Sequence, residues 1–155
     1  MMWFGEEVSA FLRATCAHDV RMLMVGGGAV NFHGYQRHSA DIDFWIEPAA
    51  ANFQRLIAAL RSMGFDLDQL PEKVLLQDQN ISIKLSPDLD IELITRFNPG
   101  YTFEEAWARS EASEVIGHPV VKYRVLSYED LLASKLRSAR PKDLLDVQEL
   151  KRRKG

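Results

Sequence analysis

A short apolar run, Met22-Leu23-Met24-Val25, ends at Gly26-Gly27-Gly28, and a second apolar run with two acids on alternate positions, Asp41-Ile42-Asp43-Phe44-Trp45-Ile46, follows. No other feature constrains the chain as much. It calls for a strand that runs through a glycine turn into a helix, then a strand with Asp41 and Asp43 on one face, their side chains about 6.5–7 Å apart along the chain. A glycine turn opening a helix leaves backbone N–H groups free for a polyphosphate. Paired carboxylates suit Mg²⁺. Two such carboxylates reach two metal ions roughly 3.5–4 Å apart, the arrangement that clamps attacking and leaving oxygens in a displacement at phosphorus. The expectation is therefore phosphoryl-type chemistry with magnesium.

Zinc fits less well. Cys16 is the sole cysteine, and His18, His33, His38 and His118 show no metal-ligand spacing. A lone cysteine forms no internal disulfide framework, and Cys16 falls on the apolar side of the first helix, where a small buried hydrophobe is expected.

The 155 residues, 46% hydrophobic and 26% charged, are enough to bury one core, so one domain over residues 1–155 is expected. No run of about 18 apolar residues and no basic-then-apolar leader is present, which points to a cytoplasmic protein without a membrane partner. A formal charge of −3 argues against coating nucleic acid broadly. The charge is uneven. Lys135, Arg137, Arg140, Lys142 and the run Lys151-Arg152-Arg153-Lys154 make the last fifth basic, while Asp41, Asp43, Asp88, Asp90 and Glu92 make an acidic region. The terminal basic run reads first as a solvated end complementing a helix C-terminus, and second as an RNA-binding tail.

Hydrophobic spacing predicts helices over residues 5–19, 29–35, 102–110 and 128–137, a third helix in chain order that Pro48 introduces, with Phe53, Leu56, Ile57 and Leu60 on one face, and a last helix opened by Pro141. Gly64 fits the C-cap of the third. Strands are expected at 22–25, 41–46, 73–77, 81–85, 89–95 and on either side of Gly117-His118-Pro119, with a hairpin turning at Asp78-Gln79-Asn80. Ser127 three residues before Asp130 is an acidic variant of the capping box. In the strand at 89–95, Leu89, Ile91 and Leu93 share one face, and Asp90 and Glu92 the other. An acidic pair on an apolar strand is costly unless it faces water, a cation or a metal. The fold expected is α/β (α+β): a mixed sheet flanked by helices, with helices at the C-terminus.

These residues resemble a family. Gly26-Gly27, thirteen residues, then Asp41-Ile42-Asp43 is similar to the signature of the nucleotidyltransferase superfamily, which shares the polymerase-β-like fold. The run Arg37-His38-Ser39-Ala40-Asp41-Ile42-Asp43 resembles the "R-x-T-x-D-I-D" motif of its abortive-infection and toxin-type branch, with Ser39 where threonine is usual. Lys135, then Arg140-Pro141-Lys142-Asp143-Leu144-Leu145-Asp146, is similar to that branch's "K…R-x-K-D-x-x-D" helices. The matching motifs lie at both ends of the chain and span most of it.

The resemblance implies transfer of a nucleoside monophosphate from a nucleoside triphosphate to a hydroxyl, with two Mg²⁺ ions on Asp41 and Asp43. It also implies a third carboxylate on a neighbouring strand. Register favours Glu92, where aspartate is more usual, and Asp90 shares its face. Gly26, Gly27 and Gly28 would let the backbone approach the phosphates, Ser39 would add a hydrogen bond, and Arg37 would touch the nucleotide. Lys135 has two readings: a partner for phosphate, or an ion pair with an acid such as Asp146. Arg140, Lys142, Asp143 and Asp146 also have two readings: an ion-pair network holding the C-terminal helices, which is the favoured one, or a direct part in catalysis. By analogy the acceptor is a tRNA 3′ end or a protein hydroxyl, with a small molecule as a further candidate, and a cognate antitoxin is implied. Two rival readings are a nucleotidyltransferase-fold binding module without turnover and a nucleic-acid-binding regulator.

Overall fold

The computed structural model describes residues 4–36, 41–115 and 120–154. Its strands, β1 (Met22–Val25), β2 (Asp41–Ile46), β3 (Ile81–Ser86), β4 (Leu89–Ile94), β5 (Glu111–Val115) and β6 (Val121–Val125), form one six-stranded mixed sheet in the order β3-β4-β2-β1-β6-β5. β2 runs antiparallel to β1 and parallel to β4. β1 pairs in parallel with β6. The expected mixed sheet flanked by helices is therefore the fold observed.

Period-2 alternation divides β2 between two environments. Phe44 and Ile46 are fully buried on one face, where Phe44 meets Phe11 of α1 (Glu6–Ala17) at a ring separation of 6.2 Å. Helix α1 also packs on α3 (Ala50–Ser62), whose Phe53, Leu56, Ile57 and Leu60 form the inward stripe anticipated from their spacing. Asp41, Asp43 and Trp45 occupy the other face. There Trp45 packs edge-on against Phe97 and against Phe103 of α5 (Phe103–Arg109), with centroids 4.9 and 5.1 Å apart. Thr102 caps α5 with a complete capping box, its hydroxyl accepting from Glu105 N–H and the Glu105 carboxylate accepting from Thr102 N–H.

Some local expectations fail for identifiable reasons. Residues 72–75 form a single helical turn, α4 (Glu72–Leu75), after Pro71, not a strand, and only Val74 of that turn is buried. The hairpin is instead β3–β4, closed at Pro87-Asp88. Asn80 is not its turn residue: its side-chain carbonyl accepts from Thr95 N–H at 3.1 Å, pinning the start of β3 to the end of β4. Helix α2 (Gly26–Phe32) starts three residues earlier than expected, so the glycines form its first turn. Cys16 is exposed. Val8, Phe11, Leu12 and Thr15 fill the inward face of α1, and the Thr15 hydroxyl donates to the Phe11 and Leu12 carbonyls, leaving Cys16 to the side.

The C-terminal helices α6 (Tyr128–Ser138) and α7 (Pro141–Lys154) form a hairpin. Its turn is tight: Ala139 adopts a left-handed conformation, φ 51°, and Pro141 begins the next helix. Ser127 caps α6 by accepting from Asp130 N–H at 3.1 Å, but the Asp130 carboxylate takes Arg109 Nε at 2.8 Å instead of returning a bond to the cap.

Candidate active site

The parallel β2–β4 pairing sets Asp41 beside Asp90 and Asp43 beside Glu92. Neighbours in a sheet point to the same face, so the four carboxylates form a two-by-two array on the face that carries Trp45. Asp41 is exposed, and Asp43, Asp90 and Glu92 are half-buried. The array separates by partner. Lys84, beside Asp90 across the antiparallel β3–β4 pair, brings Nζ to 3.2 Å from Asp90 Oδ1, an ion pair outside hydrogen-bond geometry. Among the described residues Glu92 makes no ion pair. Of the two candidates for the third carboxylate, Glu92 is thus the one whose charge is not already balanced.

Asp43 is the electrostatic centre of the array. Burial, then the charges of Asp41 and Glu92, push its carboxyl above the usual carboxylate range, while Lys142 and Lys135 pull the other way. Crowding of like charge on a half-buried acid is the condition a divalent cation relieves.

Gly26 touches this acid directly. Its φ is +58°, and a Cβ placed on it would lie 2.5 Å from Asp43 Oδ2. The first glycine is therefore required twice, for its backbone conformation and for the room it leaves to the carboxylate. Gly28 is limited from another side, since a Cβ there would meet Met24 Sδ at 2.9 Å. Gly27 is buried within the same turn. The first N–H groups of that turn have no partner within the helix, and Gly26 brings the turn against Asp43.

The donor set, all carboxylate oxygens with Asp43 crowded by two like charges, suits Mg²⁺ in chemistry. Among the described residues no three His, Cys, Asp or Glu side chains are gathered closely enough to hold a metal ion, so the fit rests on donor type, register and like-charge crowding. Arg37 and Ser39, expected to touch nucleotide, lie outside the described residues, as does the turn containing His118.

Lys135 makes the ion pair that one of its two readings calls for. Its side chain is 8% exposed, and its Nζ lies 2.9 Å from Asp146 Oδ2 and 3.4 Å from Asp143 Oδ1. Arg140 Nε adds a 2.8 Å contact to Asp143 Oδ2. Arg140, Asp143 and Asp146 therefore form the expected network between α6 and α7, and Lys135 is its buried centre. Lys142, grouped with them on sequence grounds, makes no ion pair or hydrogen bond among the described residues and is exposed on the first turn of α7.

An acidic array beside a glycine-opened helix, on a mixed sheet backed by a helical hairpin, defines a nucleotidyltransferase-type α+β protein. Residues 10–155 match the family described as nucleotidyl transferase AbiEii toxin, type IV toxin–antitoxin system, and the chain belongs to that family. It is accordingly a nucleotidyltransferase of toxin type. No curated protein matches the chain. No described helix is long and apolar enough to cross a membrane.

Proposed function

We propose that this chain, acting as one catalytic domain in the cytoplasm, transfers a nucleoside monophosphate from a nucleoside triphosphate to the 3′ hydroxyl of an RNA. The observation that supports it most is the in-register array: Asp41 and Asp43 on β2 beside Asp90 and Glu92 on β4, with Gly26 against Asp43. Asp41, Asp43 and Glu92 would hold Mg²⁺. When bound, magnesium neutralises triphosphate charge and lowers the pKa of a coordinated hydroxyl.

The chain's own residues do the rest. The first turn of α2 offers backbone N–H groups to the phosphates, and Gly26 lets that turn approach the carboxylates. Glu92, without a cation of its own among the described residues, orients the acceptor hydroxyl and takes its proton. The hydroxyl oxygen forms a bond to the α-phosphorus as the bond from the α-phosphorus to the bridging oxygen breaks, and pyrophosphate leaves. Asp90, paired with Lys84, stays outside the reacting group.

RNA is favoured as acceptor by the end of α7. There the Arg153 guanidinium lies 5.2 Å from the Tyr35 ring and Lys154 Nζ 3.8 Å from the Tyr128 ring, beside the His33 end of α2. Basic groups interleaved with aromatics suit a single-stranded nucleic acid. Membership in a type IV toxin–antitoxin family adds a cognate antitoxin to the proposal. Calorimetry of nucleoside triphosphate binding with and without Mg²⁺ tests the reading. Binding that requires Mg²⁺ and is lost in an Asp41→Ala, Asp43→Ala double variant is expected; binding indifferent to both would refute it.

A further inference from the structure

The parallel pairing of β1 with β6 is short. Met24 stands opposite Val125, and the Leu126 N–H donates to the Met24 carbonyl at 3.1 Å. Toward the start of both strands the ladder gives way to a cavity of about 510 Å³, lined by Arg21 and Met22 on one side and by Lys122, Tyr123 and Arg124 of β6 on the other. Because it lies between the strands, it takes wall residues from both faces of β6. Its volume falls within the roughly 300–1,000 Å³ of small-molecule sites. None of Asp41, Asp43, Asp90 and Glu92 lines it. Val25, the register neighbour of Asp43, lies three residues beyond Met22, roughly 10 Å at strand spacing.

The wall is divided by chemistry. Leu12, Val20, Met22 and Phe44 supply apolar surface, and four cations stand against one acid, Asp19, among the described residues. The cations are not equivalent. Arg21 is matched by Glu47 and Glu104, and Arg55 is held by the Asp19 carbonyl and the Asn52 side chain. Lys122 and Arg124, alternate residues that share a face of β6, are not matched. Arg124 donates to Ser110 Oγ at 3.1 Å and lies 4.9 Å from the centre of the Trp107 ring, with no acid bound to it among the described residues. Lys122 is exposed and makes no hydrogen bond or ion pair among the described residues, although Glu114 is its register neighbour on β5.

A second observation singles out the same place. Two buried side-chain polar atoms have no hydrogen-bond partner among the described residues. One, Asp90 Oδ1, belongs to the carboxylate array. The other is the hydroxyl of Tyr123, a residue 5% exposed in the wall of this cavity. A buried hydroxyl left unpaired is costly and calls for a partner that the chain does not supply.

We propose that this cavity is a second binding site, apart from the carboxylates, for a small organic anion. Its apolar body lies against Leu12, Met22 and Phe44, and its acidic head is held by Lys122 and Arg124. A bare inorganic ion would leave the apolar surface unused, and a neutral hydrocarbon would leave the two cations unmatched. The inference does not depend on the transferase reading.

Anilinonaphthalene sulfonate, a fluorescent aromatic anion, is the probe, and Cys16, the sole cysteine and an exposed residue of the same wall, is the reporter. Saturable binding of one probe per chain is expected, with alkylation of Cys16 by iodoacetamide slowed when the probe is bound. Lys122→Ala should weaken the probe about tenfold, the scale of one charge-assisted contact. Because Lys122 is exposed, the thermal midpoint should hold, and Lys122→Arg should recover most of the affinity. Arg124→Gln should weaken the probe likewise. The Asp41→Ala, Asp43→Ala double variant, which tests the transferase reading, should bind the probe as the native chain does. Native affinity in both Lys122→Ala and Arg124→Gln would overturn the inference and leave an adventitious additive only. Alkylation of Cys16 at one rate with and without the probe would overturn it too, as would loss of the probe in the double aspartate variant.

Discussion

Asp43 on β2 and Glu92 on β4 stand side by side in a parallel register, and the charge of Glu92 is one of the causes that raise the Asp43 carboxyl. Asp90, one pleat away on the same strand, has Lys84 at 3.2 Å. The two acids of β4 should therefore differ in consequence. Glu92→Gln is expected to reduce transfer by more than the roughly 10–100-fold typical of an outer-shell partner, and Asp90→Asn by less than about tenfold. Single-turnover rates of the two variants check this, and equal losses would contradict the assignment.

Gly26→Ala should damage both fold and activity. A left-handed φ of +58° costs an ordinary residue about 1–2 kcal/mol, and the added Cβ would displace the Asp43 carboxylate. Gly64→Ala is the comparison, since Gly64 has φ +96° but nothing within 4 Å of its missing Cβ. Denaturant titration should show both variants destabilised, and activity should fall only in Gly26→Ala.

Removing the lysine at the centre of the hairpin takes one cation from two buried carboxylates, of which Asp143 keeps Arg140. Lys135→Ala should cost about 3–5 kcal/mol, the range for breaking a buried pair from one side. A triple replacement of Lys135, Asp143 and Asp146 by apolar residues of similar volume should recover much of that loss, and chemical denaturation of the two variants measures the difference.

Two carboxyls set opposite pH trends in the metal-free protein. Asp43 is raised above its ordinary 3.8 by burial and by Asp41 and Glu92, so its contribution to stability is full below 3.8 and is lost as pH rises through the raised value. Burial also opposes ionisation of Asp143, but the Arg140 hydrogen bond and the Lys135 charge outweigh it and hold the carboxyl below 3.8. Its contribution is present above 3.8 and lost as pH falls through the lowered value. Thermal midpoints taken downward from neutral pH should first rise and then fall. Asp43→Asn should abolish the rise and leave the fall.

Much of this architecture was legible in residue order. The period-2 spacing of Asp41, Asp43 and Trp45 and the helical spacing of Phe53, Leu56, Ile57 and Leu60 report local geometry, which sequence carries directly. The strand expected at 73–77 failed because its apolar residues had no sheet neighbour: β3 pairs with β4, and Leu75 and Leu76 are left exposed. Cys16 lies one step around α1 from the inward position, which Thr15 takes. The partition of the cations was hidden for a different reason. Lys135 and Lys142 look alike in a motif, and only the folding of α7 back onto α6 shows that Asp143 and Asp146 claim the first and leave the second. Likewise, the pairing of Lys84 with Asp90, which separates Asp90 from Glu92, depends on a strand register that spacing along one strand does not contain.

The most direct test of the central claim is label transfer from α-³²P nucleoside triphosphates, one nucleotide at a time, in Mg²⁺, to total cellular RNA and protein. Label on RNA that disappears in the Asp41→Ala, Asp43→Ala double variant is the predicted result. Label on protein would keep the transferase and change the acceptor. No label on either, from a chain that also fails to bind triphosphate, would contradict the account.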